Sequence, residues 1–139
     1  RYELHYENGK TDFRSGVKVY VTSLCPCSKE ISDYGAHSQR SEVKIDIHPR
    51  KGARVGLLEL VEAAEQSASS PLFPLLKRED ERHVTMRAFD NPVFVEDLSR
   101  NVAKKLSSMS ERLDKARIEV TNFESIHRHD AFAEIELEF

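Results

Sequence analysis

Apolar residues recur at every second position near both ends of the chain and at every third or fourth position in its middle, and this change of period leaves few folds open. In Val17-Lys18-Val19-Tyr20-Val21-Thr22 the β-branched residues share one face, as a half-buried strand requires. Tyr2-Glu3-Leu4-His5-Tyr6 reads as a weaker partner strand, joined to it through the turn-forming pair Asn8-Gly9. Val43-Lys44-Ile45-Asp46-Ile47 alternates again and stops before Pro49. From Val55 the period is helical: Leu57, Leu58, Val61 and Ala64 lie on one side and Glu59, Glu62 and Glu65 on the other, up to the breaker cluster at Ser67–Pro71. A second helix is expected after Asn91-Pro92, with Asn91 as N-cap, Pro92 at the first helical position, and Phe94, Val95, Leu98, Val102 and Leu106 in one stripe. Period two returns with Ala116, Ile118 and Val120, and then with Ala131, Ala133, Ile135, Leu137 and Phe139. Strands, two helices and strands in that order predict an α+β fold, with the helices covering one face of an antiparallel sheet. Two stretches lack a period and read as connections: Ser23 to Ser41, a long loop, and Leu72 to Asp90, with the charged run Lys77-Arg78-Glu79-Asp80-Glu81-Arg82.

At 139 residues the chain is long enough for one domain with a core and short for two. No window approaches the roughly 20 apolar residues of a membrane-spanning helix, so a soluble protein with no membrane partner is expected. Its 21 Lys and Arg against 24 Asp and Glu leave a net charge of -3, which offers no broad cationic field for nucleic acid; an anionic ligand has to be caught locally. Cys25 and Cys27 flank a proline, an awkward spacing for a disulfide, and read as thiols in a reducing cytoplasm. The chain opens on a strand, without an initiator Met or the order of a signal peptide, which suggests a piece of a longer polypeptide.

Chemistry concentrates in the first of the two connections. Ser23-Leu24-Cys25-Pro26-Cys27-Ser28-Lys29-Glu30-Ile31-Ser32 and Tyr34-Gly35-Ala36-His37-Ser38-Gln39-Arg40-Ser41 bring two thiols and an imidazole to the end of a strand. Such residues bind a transition metal, or pair as nucleophile and base; equally, the thiols are small buried fillers and His37 a loop histidine. In Glu124-Ser125-Ile126-His127-Arg128-His129, between the last two strands, a carboxylate and two imidazoles can face one cleft, or lie in a solvated turn. Glu96 alone reads as a carboxylate near a helix N-terminus, and Glu79 as part of a solvated charge run. His5, His48 and His83 stand singly.

The string Thr22-Ser23-Leu24-Cys25-Pro26-Cys27-Ser28-Lys29-Glu30-Ile31-Ser32 with Tyr34-Gly35-Ala36-His37-Ser38-Gln39-Arg40-Ser41 closely resembles the signature of GTP cyclohydrolase type IB. Leu75-Leu76-Lys77-Arg78, Asn91-Pro92-Val93-Phe94-Val95-Glu96-Asp97 and Asn122-Phe123-Glu124-Ser125-Ile126-His127 also resemble that family, in the right order over most of the chain. Ser38 stands where the family more often has Asn. The resemblance implies the tunnelling fold, an antiparallel sheet with two long helices on one face. It further implies two such modules in tandem, assembled as a homotetramer, with residues 1–139 forming a single module, the later half of a longer chain. The implied reaction is metal-dependent hydrolysis of GTP to 7,8-dihydroneopterin triphosphate and formate, the first step of tetrahydrofolate biosynthesis, with zinc or manganese, and iron as a further candidate. Carried over residue by residue, Cys27 and His37 are the leading metal ligands. Glu79, Glu124 and His127 are further candidates for the metal or for proton transfer, and Cys25 is either the catalytic thiol or a residue that orients Cys27. Glu96 resembles the carboxylate that anchors the amino and ring N–H groups of a purine or pterin. Lys29, Arg40, Lys77 and Arg78 are candidates for the triphosphate, though each also reads as solvated surface. Two alternatives remain open at this stage: another tunnelling-fold enzyme, such as the NADPH-dependent nitrile reductase of queuosine synthesis, whose Cys attacks its substrate, and a non-catalytic metal- or nucleotide-binding module.

Overall fold

The computed structural model describes residues 1–7 and 10–139, so the expected Asn8-Gly9 turn lies outside the described residues. Strand β1 (Tyr2–Glu7) pairs with the long β2 (Lys10–Leu24), which pairs with β3 (Ser38–Pro49). β3 pairs with β5 (Leu113–Phe123), and β5 with β6 (Ala131–Glu138). A two-residue strand, β4 (Ser70–Pro71), adds to the end of β2, and all of these pairings are antiparallel. Each central strand turns one row of side chains inward: Val19 and Val21 on β2, Val43, Ile45 and Ile47 on β3, and Ala116, Ile118 and Val120 on β5, all buried. Helices α2 (Leu57–Glu65) and α4 (Val95–Ser107) cover that row, α2 against β2 and α4 against β5 and β6. This is the expected α+β layout, with two helices against one face of an antiparallel sheet. The fit of α4 follows from its spacing, since Val95, Leu98, Ser99, Val102, Ala103 and Leu106 are its buried residues and lie on one stripe.

Several local expectations are corrected. Residues 23–41 are not one long loop: β2 runs on through Leu24, a short helix α1 (Pro26–Ile31) follows, and β3 begins at Ser38. Six residues are too few to show a period, but Pro26 at the helix start is a legible signal. The stretch between the two expected helices holds a third long one, α3 (Arg78–Asp90), whose only buried residue is Ala88. With almost no apolar face it has no amphipathic period. It is stabilised at its ends, with Glu79, Asp80 and Glu81 in the first turn, Arg87 in the last, and the Lys77 N–H donating to Asp80 Oδ2 at 2.9 Å. Asn91 closes α3 and does not open α4: its backbone N–H and its side-chain Nδ2 both donate to the Arg87 carbonyl, the latter at 2.7 Å. Pro92 follows as a stop signal, and the N-cap of α4 is Phe94. Phe94 and Leu58, expected on buried stripes, are exposed, because α2 turns Leu60, Ala63 and Ala64 inward and Phe94 precedes its helix.

Candidate active site

The C-terminal end of β2, the start of β3 and the end of β5 meet the start of α4 at one edge of the core, and each delivers side chains to a shared cleft. The local chain path at Cys25 is held by hydrogen bonds. The Cys25 N–H donates to the His37 carbonyl at 3.0 Å, and Ser28 Oγ donates to the Cys25 carbonyl at 3.1 Å while accepting the His37 N–H at 3.2 Å. These bonds fold the Cys-Pro-Cys segment back onto His37. Cys25 is the N-cap of α1 and its Sγ accepts the Ser28 N–H at 3.5 Å, whereas Cys27, in the first turn, is exposed. Both thiols are free. From the far side, the Val93 N–H donates to the Leu24 carbonyl at 3.0 Å, which seats the entry to α4 beside the end of β2.

The resulting cleft has a volume of about 300 Å³, and six of the expected site residues line it: Cys25, Cys27, His37, Glu96, Glu124 and His127. That volume is at the small end of the roughly 300–1,000 Å³ typical of ligand sites. Gln39 and Asn122, which the expected site did not include, line it too. The remaining expected residues lie elsewhere. Lys29 Nζ donates to the Phe89 carbonyl at 2.5 Å and sits 4.4 Å from the centre of the Phe89 ring, so its charge is spent joining α1 to the end of α3. Arg40 falls between the inward-facing Gln39 and Ser41 and so belongs to the opposite face of the sheet. Glu79 is exposed in the first turn of α3 with Arg78, and Lys77 precedes them; none of the three lines the cleft. His129 stacks on His127, with ring centres 5.4 Å apart.

The donor types in the cleft suit a divalent cation of borderline softness, namely two thiols, two imidazoles and two carboxylates. Glu124 adds a specific sign. Its Oε2 is buried without a hydrogen-bond partner, a costly state for a carboxylate unless a cation or donor meets it. Among the described residues, however, no three His, Cys, Asp or Glu side chains are gathered closely enough to hold a metal ion. The donors stand around one cleft without closing on a single point. Two other hollows, of about 420 and 740 Å³, share His48 and Lys115 and hold no thiol. Several of their charges are already paired, as in Lys115 with Glu138 at 2.5 Å and Arg50 with Asp114 at 3.2 Å.

Fold and cleft together define an α+β protein with a thiol, imidazole and carboxylate site at the end of its sheet, a constellation suited to metal-assisted hydrolysis. The chain belongs to the type I GTP cyclohydrolase folE2 family, whose model matches residues 1–133. It is 51% identical over 125 residues to the GTP cyclohydrolase FolE2 of Citrifermentans bemidjiense, a match covering 90% of this chain and 46% of that protein. To the GTP cyclohydrolase FolE2 of Thermotoga petrophila it is 53% identical over 124 residues, covering 89% of this chain and 47% of that one. The chain thus spans about half the length of the curated relatives it matches. Among solved structures, the apo archaeosine synthase QueF-Like is similar at a TM-score of 0.45 and 15% identity, over 87% of this chain and 91% of that one. No helix among the described residues is long and apolar enough to cross a membrane.

Proposed function

We propose that the full-length protein hydrolyses GTP to 7,8-dihydroneopterin triphosphate and formate, and that this chain is one module of it. The observation that carries the reading is the cleft, where six side chains from three separate sequence motifs converge in a chain of the folE2 family. The reaction requires water to add at C8 of the guanine, the imidazole ring to open, formate to leave, and the ribose carbons to rearrange and close the pterin. Cys27 and His37 would hold a divalent metal, zinc or manganese with iron as a further candidate, and Glu124 and His127 would complete its surroundings. Bound there, the ion supplies an activated water and a positive charge beside the opening ring. Glu96, at the N-terminal turn of α4, accepts two parallel N–H bonds from the guanine edge. Adenine offers no such donor pair, so this contact selects the base. His127, at the mouth of the cleft, moves the proton needed as the C–N bonds break.

The small cleft and its ungathered donors favour a site completed by a second copy, in line with a homotetramer. Edge strand β1 exposes Tyr2, Leu4 and Tyr6, a surface suited to such an assembly. The test is pterin fluorescence, after mild oxidation, from GTP incubated with the full-length protein and Mn²⁺ or Zn²⁺. Product is expected with at least one metal and none after chelation; no product with either metal overturns the reading. Glu96→Gln is expected to lower turnover of GTP by at least tenfold, and unchanged turnover removes the anchoring role.

A further inference from the structure

The inward-facing rows of β2, β3 and β5 are apolar through the core and turn polar at the cleft end, at Ser23, Gln39, Ser41 and Asn122, all at most 8% exposed. These four form one connected chain. Ser41 Oγ donates to Asn122 Oδ1 at 2.6 Å, and Ser23 Oγ lies 2.7 Å from Ser41 Oγ. Gln39 Nε2 donates to Ser23 Oγ at 3.2 Å, while Gln39 Oε1 lies 3.1 Å from His37 Nδ1. A hydroxyl has one proton and an amide oxygen has none, so with the two amides oriented as they stand the direction of the whole chain follows. The Ser41 proton goes to Asn122, so Ser23 must donate to Ser41. Ser23 then accepts from the Gln39 amide nitrogen, and Gln39 Oε1 can only accept, from a proton on His37 Nδ1. Ser125 Oγ, 3.2 Å from the same nitrogen, is a second acceptor for it.

We infer that Gln39, Ser23, Ser41 and Asn122 are positioning residues. They hold neutral His37 as its Nδ1–H tautomer, which leaves the Nε2 lone pair bare for a cation in the cleft. A histidine ligand depends on such a partner for its other nitrogen. Rotating both amides would reverse every donor and move the proton to Nε2, so the tautomer reads the direction of the chain. The consequence for metal binding rests on the reading of His37 as a ligand; the tautomer itself does not.

The experiment records long-range ¹H–¹⁵N spectra of the metal-free full-length protein with ¹⁵N-histidine, at a pH where imidazole is neutral, with His37 assigned by its loss in His37→Gln. A single form with protonated Nδ1 and bare Nε2 is expected. Protonated Nε2, or an even mixture, overturns the inference, and this reading needs no relay variant to fold. Ser41→Ala is expected to mix the tautomers and to weaken zinc affinity, measured by chelator competition, by about 10–100-fold. Ser41→Thr, which keeps the hydroxyl, is expected to restore both. Unchanged tautomer and zinc affinity in a folded Ser41→Ala protein overturn the relay. Protonated Nδ1 in a wild-type protein that binds no zinc supports the relay and rejects His37 as a ligand.

Discussion

Cys25 Sγ accepts the Ser28 N–H, and the Cys25 backbone is tied to His37 and Ser28, while the Cys27 side chain is exposed at the cleft. The two thiols therefore separate by environment, a distinction that the Cys-Pro-Cys string does not carry. Cys27→Ala is expected to leave the stability of the metal-free protein within about 0.5 kcal/mol of wild type, as for other exposed substitutions. Its metal affinity should fall by more than the roughly 10–100-fold that loss of an outer partner costs. Denaturant melts together with metal titrations check both halves. Ser41→Ala is expected to cost about 1–3 kcal/mol in the same melts, because it leaves Ser23 and Asn122 buried with a bond unmade. Cys25, Cys27, His37, Glu96, Glu124 and His127 were legible as motifs. Gln39 and Asn122 were not singled out, although the signal exists: they continue the period-two rows at positions where a core residue would be apolar. Reading residues 23–41 as a loop hid it, since a loop has no inward face.

At the scale of elements, the strands and the two core-covering helices were legible because each buries one face, and burial imposes a period. Helix α3 buries almost nothing and was invisible to that argument; its charged run shows only in the dipole pattern of its ends. Helix α2 gives a test of end stabilisation. Glu59 Oε1 accepts the Gly56 N–H at 2.8 Å, and Arg112 donates to Glu59 Oε2 at 2.7 Å, tying α2 to the entry of β5. The Arg112 guanidinium, and after it the Gly56 N–H, hold the Glu59 carboxyl below its ordinary value of 4.5. A carboxyl lowered in the folded state stabilises fully above its unfolded value, and that contribution is lost as pH falls through the folded value. Glu59→Gln is expected to cost about 0.5–1 kcal/mol near neutral pH, kept small because both partners are some two-fifths exposed. Urea melts at about pH 7 and about pH 3 should show the gap between variant and wild type closing at the lower pH. A gap that persists there would mean that the carboxylate charge is not what matters.

For the whole molecule, the order of the main strands and the two core-covering helices, and the side of the sheet those helices cover, follow from the sequence pattern, and the cleft lies where β2, β3, β5 and α4 meet. What the pattern lacked is long-range geometry: Arg40 falls on the far face, and Lys29 is engaged with Phe89. Neither basic residue lines the cleft, so the triphosphate of the proposed substrate needs cations from outside it. The proposed assembly predicts that the full-length protein sediments as four chains, which analytical ultracentrifugation reads directly. We propose that this cleft is a metal centre built on Cys27 and His37. Anomalous diffraction from crystals of the full-length protein grown with zinc tests it most directly. A peak is expected about 2.3 Å from Cys27 Sγ and about 2.0–2.1 Å from His37 Nε2. A fully occupied zinc site elsewhere, with this cleft empty, would contradict it.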